Sequence, residues 1–467
     1  MHSFRRFFPS SPTQPLRAIL KPACVAAAAL LGGCTVYAPR PLSDQPTTRE
    51  SVDAVQIDPQ TLHIARLREH RFDPDDGLDA IEVEMLAVAQ NPDLKIARAD
   101  LGVARAQAFA AGLLPDPQAS LSRDFPRNGG PGNTTAFNLG ATLDIGALIA
   151  ASATRDAARG QLDKVRLDLL WQEWQTMTQA RLLFARVRAA EELARLLTQT
   201  EALYQDRATK LQAALTRGDV TIDAVAPNQV ALEDVRRQIN DNDRALGKSR
   251  ADLTTLLGLA PGAKLPLTGD PDVPTFNDEQ LARARTALPQ RRGDLLALRA
   301  GYASQEARVR QAVLAQFPVM NFGFSRARDT AGLFTNGFSI AFTLPLFNRN
   351  RGNIAIEQAT RKRLAVEYQA RLDAAYGQID RTTQELQLVD AQIDSTRQSV
   401  AALQSSVAKA ARALGARGID VLVYTNLQSS LLAKQGELVA LRLSDAELRI
   451  ALSAILGTRQ FDTPSTD

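Results

Sequence analysis

The chain has 467 residues, 45% hydrophobic, 23% charged and only 5% aromatic, and it lacks an uninterrupted apolar run of the ~20 residues that a membrane-spanning helix needs. Its net charge of +4 lies wholly ahead of Cys34, where Arg5, Arg6, Arg17 and Lys21 are the only charged residues, so that 51 basic side chains face 51 acidic ones in the remainder. A formally neutral mature chain excludes a nucleic-acid surface, which needs surplus Lys and Arg clustered on one face.

Residues 1–33 read as a signal peptide: a basic leader up to Lys21, an Ala/Leu-rich stretch from Ala23 to Leu31, then small residues. Leu31-Gly32-Gly33-Cys34 resembles the bacterial lipobox. In that motif the cysteine is acylated and becomes the new N-terminus, so Cys34 is the expected lipidation site, with an ordinary signal and a chance cysteine as the alternative. Thr35 in place of Asp is, by resemblance to bacterial lipoproteins, an outer-membrane signal. With Cys24 in the leader and Cys34 carrying lipid, no thiol remains for a disulfide, a metal or a nucleophile. Residues 34–78 are then a lipid-anchored N-terminal extension.

Two repeats follow, at 79–260 and 278–458, joined by a Pro/Gly-rich linker at 261–277 and ending in a tail at 459–467. Asp93-Leu94 with Arg98-Ala99 recurs as Asp294-Leu295 with Arg299-Ala300, and Thr142-Leu143 recurs as Thr343-Leu344. Arg217-Gly218 recurs as Arg417-Gly418, and Leu256-Leu257-Gly258 as Ile455-Leu456-Gly457. Each half predicts a helix pair, two strands, one very long helix and a second long helix. Asn91-Pro92 opens a helix ending near Leu114, with Pro in the first turn.

Between Gln118 and Ile145, and again between Val319 and Leu346, the apolar period changes from helical to two. Phe338, Ile340, Phe342, Leu344 and Leu346 share one face against Gly337, Ser339, Ala341 and Thr343. Phe137, Leu139, Ala141, Leu143 and Ile145 oppose Asn138, Gly140, Thr142 and Asp144, while Met320, Phe322 and Phe324 oppose Asn321, Gly323 and Ser325. Such strands fit a soluble sandwich or a membrane barrel with a wet lumen, and their lengths approach the ~9–11 residues that cross a bilayer. Turns are expected at Gly129-Gly130-Pro131-Gly132 and from Asp329 to Thr335. Four strands cannot close a barrel, and open edges in hydrocarbon leave backbone groups unpaired, so copies of the chain must share one.

From Ile354 to Leu414 a heptad seam runs through Leu372, Ile379, Leu386, Ile393, Val400, Val407 and Leu414, with Ala375, Val389, Leu403 and Ala410 on companion positions. Leu162, Leu169, Leu183, Leu197 and Leu211 keep the same period in the first half, interrupted by Thr176, Ala190 and Tyr204. The return helices carry Leu232, Ile239, Leu246 and Leu253 in one case and Leu427, Leu441, Leu448 and Ile455 in the other. The pattern predicts coiled-coil hairpins roughly 100 Å long at ~1.5 Å per residue.

The duplicated layout, the strand ending Thr343-Leu344-Pro345-Leu346-Phe347 and the hairpin tip Arg417-Gly418-Ile419-Asp420-Val421-Leu422 together resemble the TolC-like outer-membrane efflux proteins over nearly all of the mature chain. The resemblance implies a mainly α fold with a membrane β-barrel portion: a homotrimer whose twelve-stranded barrel continues into a coiled-coil tunnel. It further implies partnership with a periplasmic adaptor and an inner-membrane pump, and tips at Arg217, Gly218, Arg417 and Gly418 that dock onto the adaptor or serve simply as turn residues. Asp420 matches the first of two Asp positions that relatives use as a constricting ring, while Val423 stands where the second would be, so Asp420 is a gate candidate or an ordinary helix cap. Asp223, its first-half counterpart, reads as structural. The junction from Phe347 to Ala355 resembles the heavy-metal branch of the family, with Pro345 ending the strand and Gly352 easing the chain into the helix; drug or solvent cargo is equally compatible.

No chemistry-bearing constellation accompanies these features. His63 and His70 are expected to lie without neighbouring ligands for a metal. No phosphate loop and no serine elbow is present, so neither catalysis nor a cofactor is expected. The competing expectation is an outer-membrane-anchored periplasmic coiled-coil scaffold without transport.

Overall fold

The computed structural model describes residues 37–457 other than 53, 54, 63, 128, 129, 131, 319 and 417. Cys34 and Arg417 therefore lie outside the described residues. The chain divides into two units, 1–47 and 48–467. In the first, residues 37–47 carry no helix or strand.

The second unit is mainly helical. Its first half runs α1 (Ala80–Gln90), α2 (Pro92–Gly112), β1 (Gln118–Asp124), β2 (Ala136–Asp144), α3 (Ile145–Arg217) and α4 (Ile222–Leu256). The second half repeats that order with α5 (Asp278–Arg291), α6 (Gly293–Leu314), β3 (Met320–Arg328), β4 (Phe334–Phe342), α7 (Arg351–Gly415) and α8 (Val421–Leu456). Local chemistry sets many of these boundaries. Asp79 and Glu82 form a reciprocal capping box at the start of α1, and Asn277 with Gln280 does the same for α5. Asn91 caps α2 by accepting the Leu94 N–H, and Pro92 fills its first turn. Asp144 closes β2 and caps α3, so Ile145 begins the helix instead of extending the strand.

A similar shortening occurs after β4. Pro345 has no N–H to offer a ladder, and the residues from Thr343 onward leave the sheet. Leu344 and Leu346, expected on the strand, therefore lie beyond it. The turn into α7 is made by Arg349 and Asn350, both with left-handed backbones (φ 46° and 53°), a conformation that costs a non-glycine residue about 1–2 kcal/mol. Asn350 Nδ2 donates to the Ala312 carbonyl at 2.8 Å and anchors the turn on α6. Gly352, expected to ease the chain into the helix, sits inside the first turn.

Two apolar cores lie at corresponding places in the halves. In the first, Val83, Leu86, Ala180, Leu183, Phe184, Leu253 and Leu257 interdigitate; in the second, Leu288, Leu295, Ala375, Ile379, Leu452 and Leu456 do so. The short helices α1 and α5 thus pack across the middle of the long rods. The segment expected as linker, 261–277, begins inside a strand, Leu259–Lys264, that runs parallel to Arg49–Ser51. A buried ionic network braces the first core: Glu84 accepts from Arg181 Nε at 2.6 Å and from Arg66 at 3.3 Å.

The rods are joined along their length. Ile379, Leu386, Val389, Ile393 and Val400 are buried on α7 as the heptads predict, with Thr382 and Thr396 completing the seam. On α8 the buried apolar side chains are Leu432, Leu438, Val439, Ala446, Ile450, Leu452 and Leu456, whereas Leu427, Leu441, Leu448 and Ile455 are half-buried. The reason is that α8 packs on α3 as well as on α7, which widens its buried face. Trp174 Nε1 donates to the Ala454 carbonyl, and Tyr204 Oη meets Ser429 Oγ at 2.6 Å. α3 and α6 approach each other closely. A Cβ on Gly160 would lie 2.8 Å from the Ser304 backbone nitrogen, and Ser304 Oγ donates to the Ala157 carbonyl.

Candidate functional site

The four strands form one antiparallel sheet in the order β1-β2-β3-β4. Its register decides what each face presents. Gln118, Thr142, Gly323 and Ser339 align across the sheet; so do Ser120, Gly140, Ser325 and Gly337, and then Ser122, Asn138, Ala327 and Thr335. This face is small and polar from edge to edge. The opposite face aligns Ala141 with Phe324 and Phe338, and Leu143 with Phe322 and Ile340. Its side chains stand in the open: Phe338 is 77% exposed and Ile340 64%. Phe322 and Phe324 both pack on Phe338, with ring centroids 6.1 and 5.4 Å away.

An exposed apolar band opposite a hydrophilic face of Ser, Thr, Asn and Gly suits hydrocarbon on one side and water on the other. Among the described residues no helix is long and apolar enough to cross a membrane. The sheet's outer strands, β1 and β4, each have one partner strand among the described residues, and the backbone groups along their other edges have no sheet neighbour there.

All four strands meet helices at one end and hairpin loops at the other. The β3–β4 loop is held by the Asp329 carboxylate, which accepts the Ala331 and Leu333 N–H groups, both at 2.9 Å. At this loop end the apolar face changes character. Arg123 aligns with Phe137, Arg328 and Phe334, and one row inward Leu121, Leu139, Arg326 and Asn336 align. The period-two reading followed the apolar residues of these strands and passed over Arg123, Arg326 and Arg328, which occupy the same parity.

At the other extreme of the molecule are the hairpin tips. Gly218 ends α3 in a left-handed conformation (φ 80°), its N–H bonded to the Leu215 carbonyl and that of Asp219 to Ala214. Arg217 Nε donates to Asp219 at 2.8 Å. The second tip is built otherwise: α7 stops at Gly415, and the Gly418 N–H donates to the Ala413 carbonyl at 2.8 Å without a left-handed backbone at Gly418. Asp420 is exposed and caps α8, accepting the Leu422 N–H at 2.8 Å. Asp223 lies in the first turn of α4.

Above the tips, Glu437 is held below the usual carboxylate range, first by its bond from Lys434. Asp445 is raised above it, first by burial and against the pull of Arg449.

His70 does have neighbours, contrary to the expectation from sequence separation. Ligand atoms of His70, Asp79 and Glu82 lie within 4.8 Å of one another. Both carboxylates are committed to closing α1, however: Asp79 accepts the Ile81 and Glu82 N–H groups, and Glu82 accepts those of Asp73 and Asp79.

With this geometry in view, comparison with known proteins is specific. Residues 285–458 match the family model "Outer membrane efflux protein". The match spans most of the second repeat. The TolC-like fold itself extends over both halves. Three solved structures illustrate it: the MtrE outer-membrane channel of Neisseria gonorrhoeae, in its open state (17% identity, TM-score 0.68, covering 91% of this chain and 98% of that one); the CmeC outer-membrane channel of Campylobacter jejuni (17%, 0.67, 93% and 96%); and the outer-membrane protein VceC of Vibrio cholerae (18%, 0.65, 81% and 96%). No curated protein sequence matches the chain. The family model describes outer-membrane efflux proteins and these neighbours are outer-membrane proteins, two of them channels, which supports an outer-membrane efflux channel.

Proposed function

We propose that the protein is the outer-membrane duct of a tripartite efflux system, through which solutes delivered by an inner-membrane pump and a periplasmic adaptor pass to the exterior without chemical change. The observation that carries this reading is the two-faced open sheet. An antiparallel sheet with a polar, small-residue face, an exposed aromatic face and two unpartnered edges is incomplete in a bilayer until its edges find partners. Three copies would supply twelve strands. The helical rods, rooted at one end of the sheet, would then continue the pore into the periplasm.

In this reading Cys34 carries the lipid, the signal peptide being removed, and residues 34–78 run from that anchor. The tips at Arg217-Gly218 and Arg417-Gly418 meet the adaptor. Asp420, repeated around a threefold axis, places three carboxylates at the narrow end and biases its opening. The pump sets the choice among drug, solvent and heavy-metal cargo, since a duct with so few His, Met and Cys residues offers soft metals no ligands of its own. No cofactor or catalytic step is required.

Planar-bilayer recording on the purified protein tests the proposal. Discrete conductance steps are expected once the periplasmic end opens. A protein that inserts yet never conducts, under any gating condition, would favour the scaffold reading.

A further inference from the structure

The arginines at the loop end of the apolar face lack the partners that most buried or half-buried arginines of the fold have. Among the described residues no carboxylate lies within ion-pair distance of Arg123, Arg326 or Arg328. The acids next to them in sequence are Asp124, at the opposite parity of its strand, and Asp329, whose Oδ1 accepts two backbone N–H groups. Arg123 and Arg328 instead lie over aromatic rings, with the guanidinium carbons 5.1 Å from the Phe125 ring centre and 5.6 Å from that of Phe334. Stacking of this kind holds the fork of donors in place while leaving its charge unneutralised.

Arg123, Thr134, Thr135, Phe137 and Arg328 line one open cavity of about 530 Å³. Two polar atoms in it are shielded from solvent and bonded to nothing, Arg328 Nε and Thr134 Oγ1. A buried guanidinium nitrogen and a hydroxyl without partners are costly, and their natural complement is an anion with several acceptor oxygens.

Position selects the anion. These groups stand on the face proposed to meet lipid, directly beyond Phe338, Phe324 and Ala141, at the end remote from the helices. If the helices reach into the periplasm, this rim lies at the headgroup level of the outer leaflet. We propose that Arg123, Arg326 and Arg328, with Thr134, bind the phosphate groups of the glycolipid in that leaflet, seating the barrel at a fixed depth. The inference rests on the proposed function, because only that reading assigns the aromatic face to lipid.

The test is the thermal unfolding midpoint of the full-length protein in detergent, titrated with phosphorylated lipopolysaccharide, with the same glycolipid dephosphorylated, and with inorganic phosphate. The phosphorylated glycolipid is expected to raise the midpoint, and Arg123→Gln/Arg326→Gln/Arg328→Gln to abolish most of the rise. Each lost charge-assisted contact should weaken apparent binding about tenfold. Lys at the same three positions should retain part of the effect. Should the triple Gln variant fail to assemble, Arg326→Gln alone, at an exposed side chain, carries the comparison. Equal protection by the dephosphorylated glycolipid, by inorganic phosphate alone, or in the Gln variants overturns the inference. Conductance of the same samples separates the two readings: a conducting protein without phosphate-dependent protection overturns this inference alone, whereas one that never conducts overturns the proposed function too.

Discussion

At Asp420 the carboxylate accepts the Leu422 N–H and so satisfies one of the open donors at the start of α8. That task needs an oxygen, not a charge, which makes a gating role separable from a structural one. Asp420→Asn keeps a good cap and removes the charge; Asp420→Ala removes both and should lower helix stability by about 1 kcal/mol. If the carboxylate ring constrains the duct, both variants raise open probability in bilayer recordings. Wild-type gating in Asp420→Asn would leave only the cap. Asp445 offers a second residue-scale test. Its pKa is raised in the folded chain, so the folded state holds this proton more tightly than the unfolded chain does. Its contribution favours folding below the ordinary Asp range and falls away as pH rises from that range through the raised value. Asp445→Asn should therefore flatten the pH dependence of the guanidinium midpoint in that window, with an unchanged profile counting against the burial argument. Single residues were the least legible level of the sequence. Gly218 could be read as a turn, but its apparent twin Gly418 adopts no left-handed backbone, because α7 has already ended at Gly415. The strained pair Arg349-Asn350 carries no composition signal at all.

At the scale of elements, legibility followed periodicity. The α7 heptads placed Ile379, Leu386, Ile393 and Val400 in the seam because a 3.5-residue repeat has few other uses, and the α8 stripe was displaced because that helix serves two neighbours. The strands were clear from their two-residue alternation, although Ile145, Leu344 and Leu346 satisfied the pattern after the ladder had ended; a cap at Asp144 and the proline at 345 outrank hydrophobic parity. The arginine rim was equally visible at the same parity, yet an apolar count discards it. The two faces of β4 and its neighbours make opposite predictions. Phe338→Arg, in the aromatic band, should destabilise the membrane-inserted state by about 2–4 kcal/mol if it lies near the bilayer midplane, measured as a lowered denaturation midpoint in lipid. Ser325→Arg, on the polar face, should leave that midpoint nearly unchanged and reduce single-channel conductance. The reverse pattern would turn the sheet inside out.

For the whole molecule, duplication was readable from the ordered recurrence of short matches, and the structure carries the same element order twice. Among the described residues β1 and β4 each pair with a strand on one side only. In the proposed reading the need for further copies follows from the solvent: hydrocarbon offers no hydrogen bonds to a free strand edge, and known single-chain barrels begin at roughly eight strands, twice what one copy holds; the number three is what the resemblance to TolC-like proteins implies. The most direct test is the native mass of the protein extracted from membranes in mild detergent. Particles of three chains are expected throughout the range where the protein conducts; a stable, lipid-free monomer that remains in aqueous solution would contradict the account.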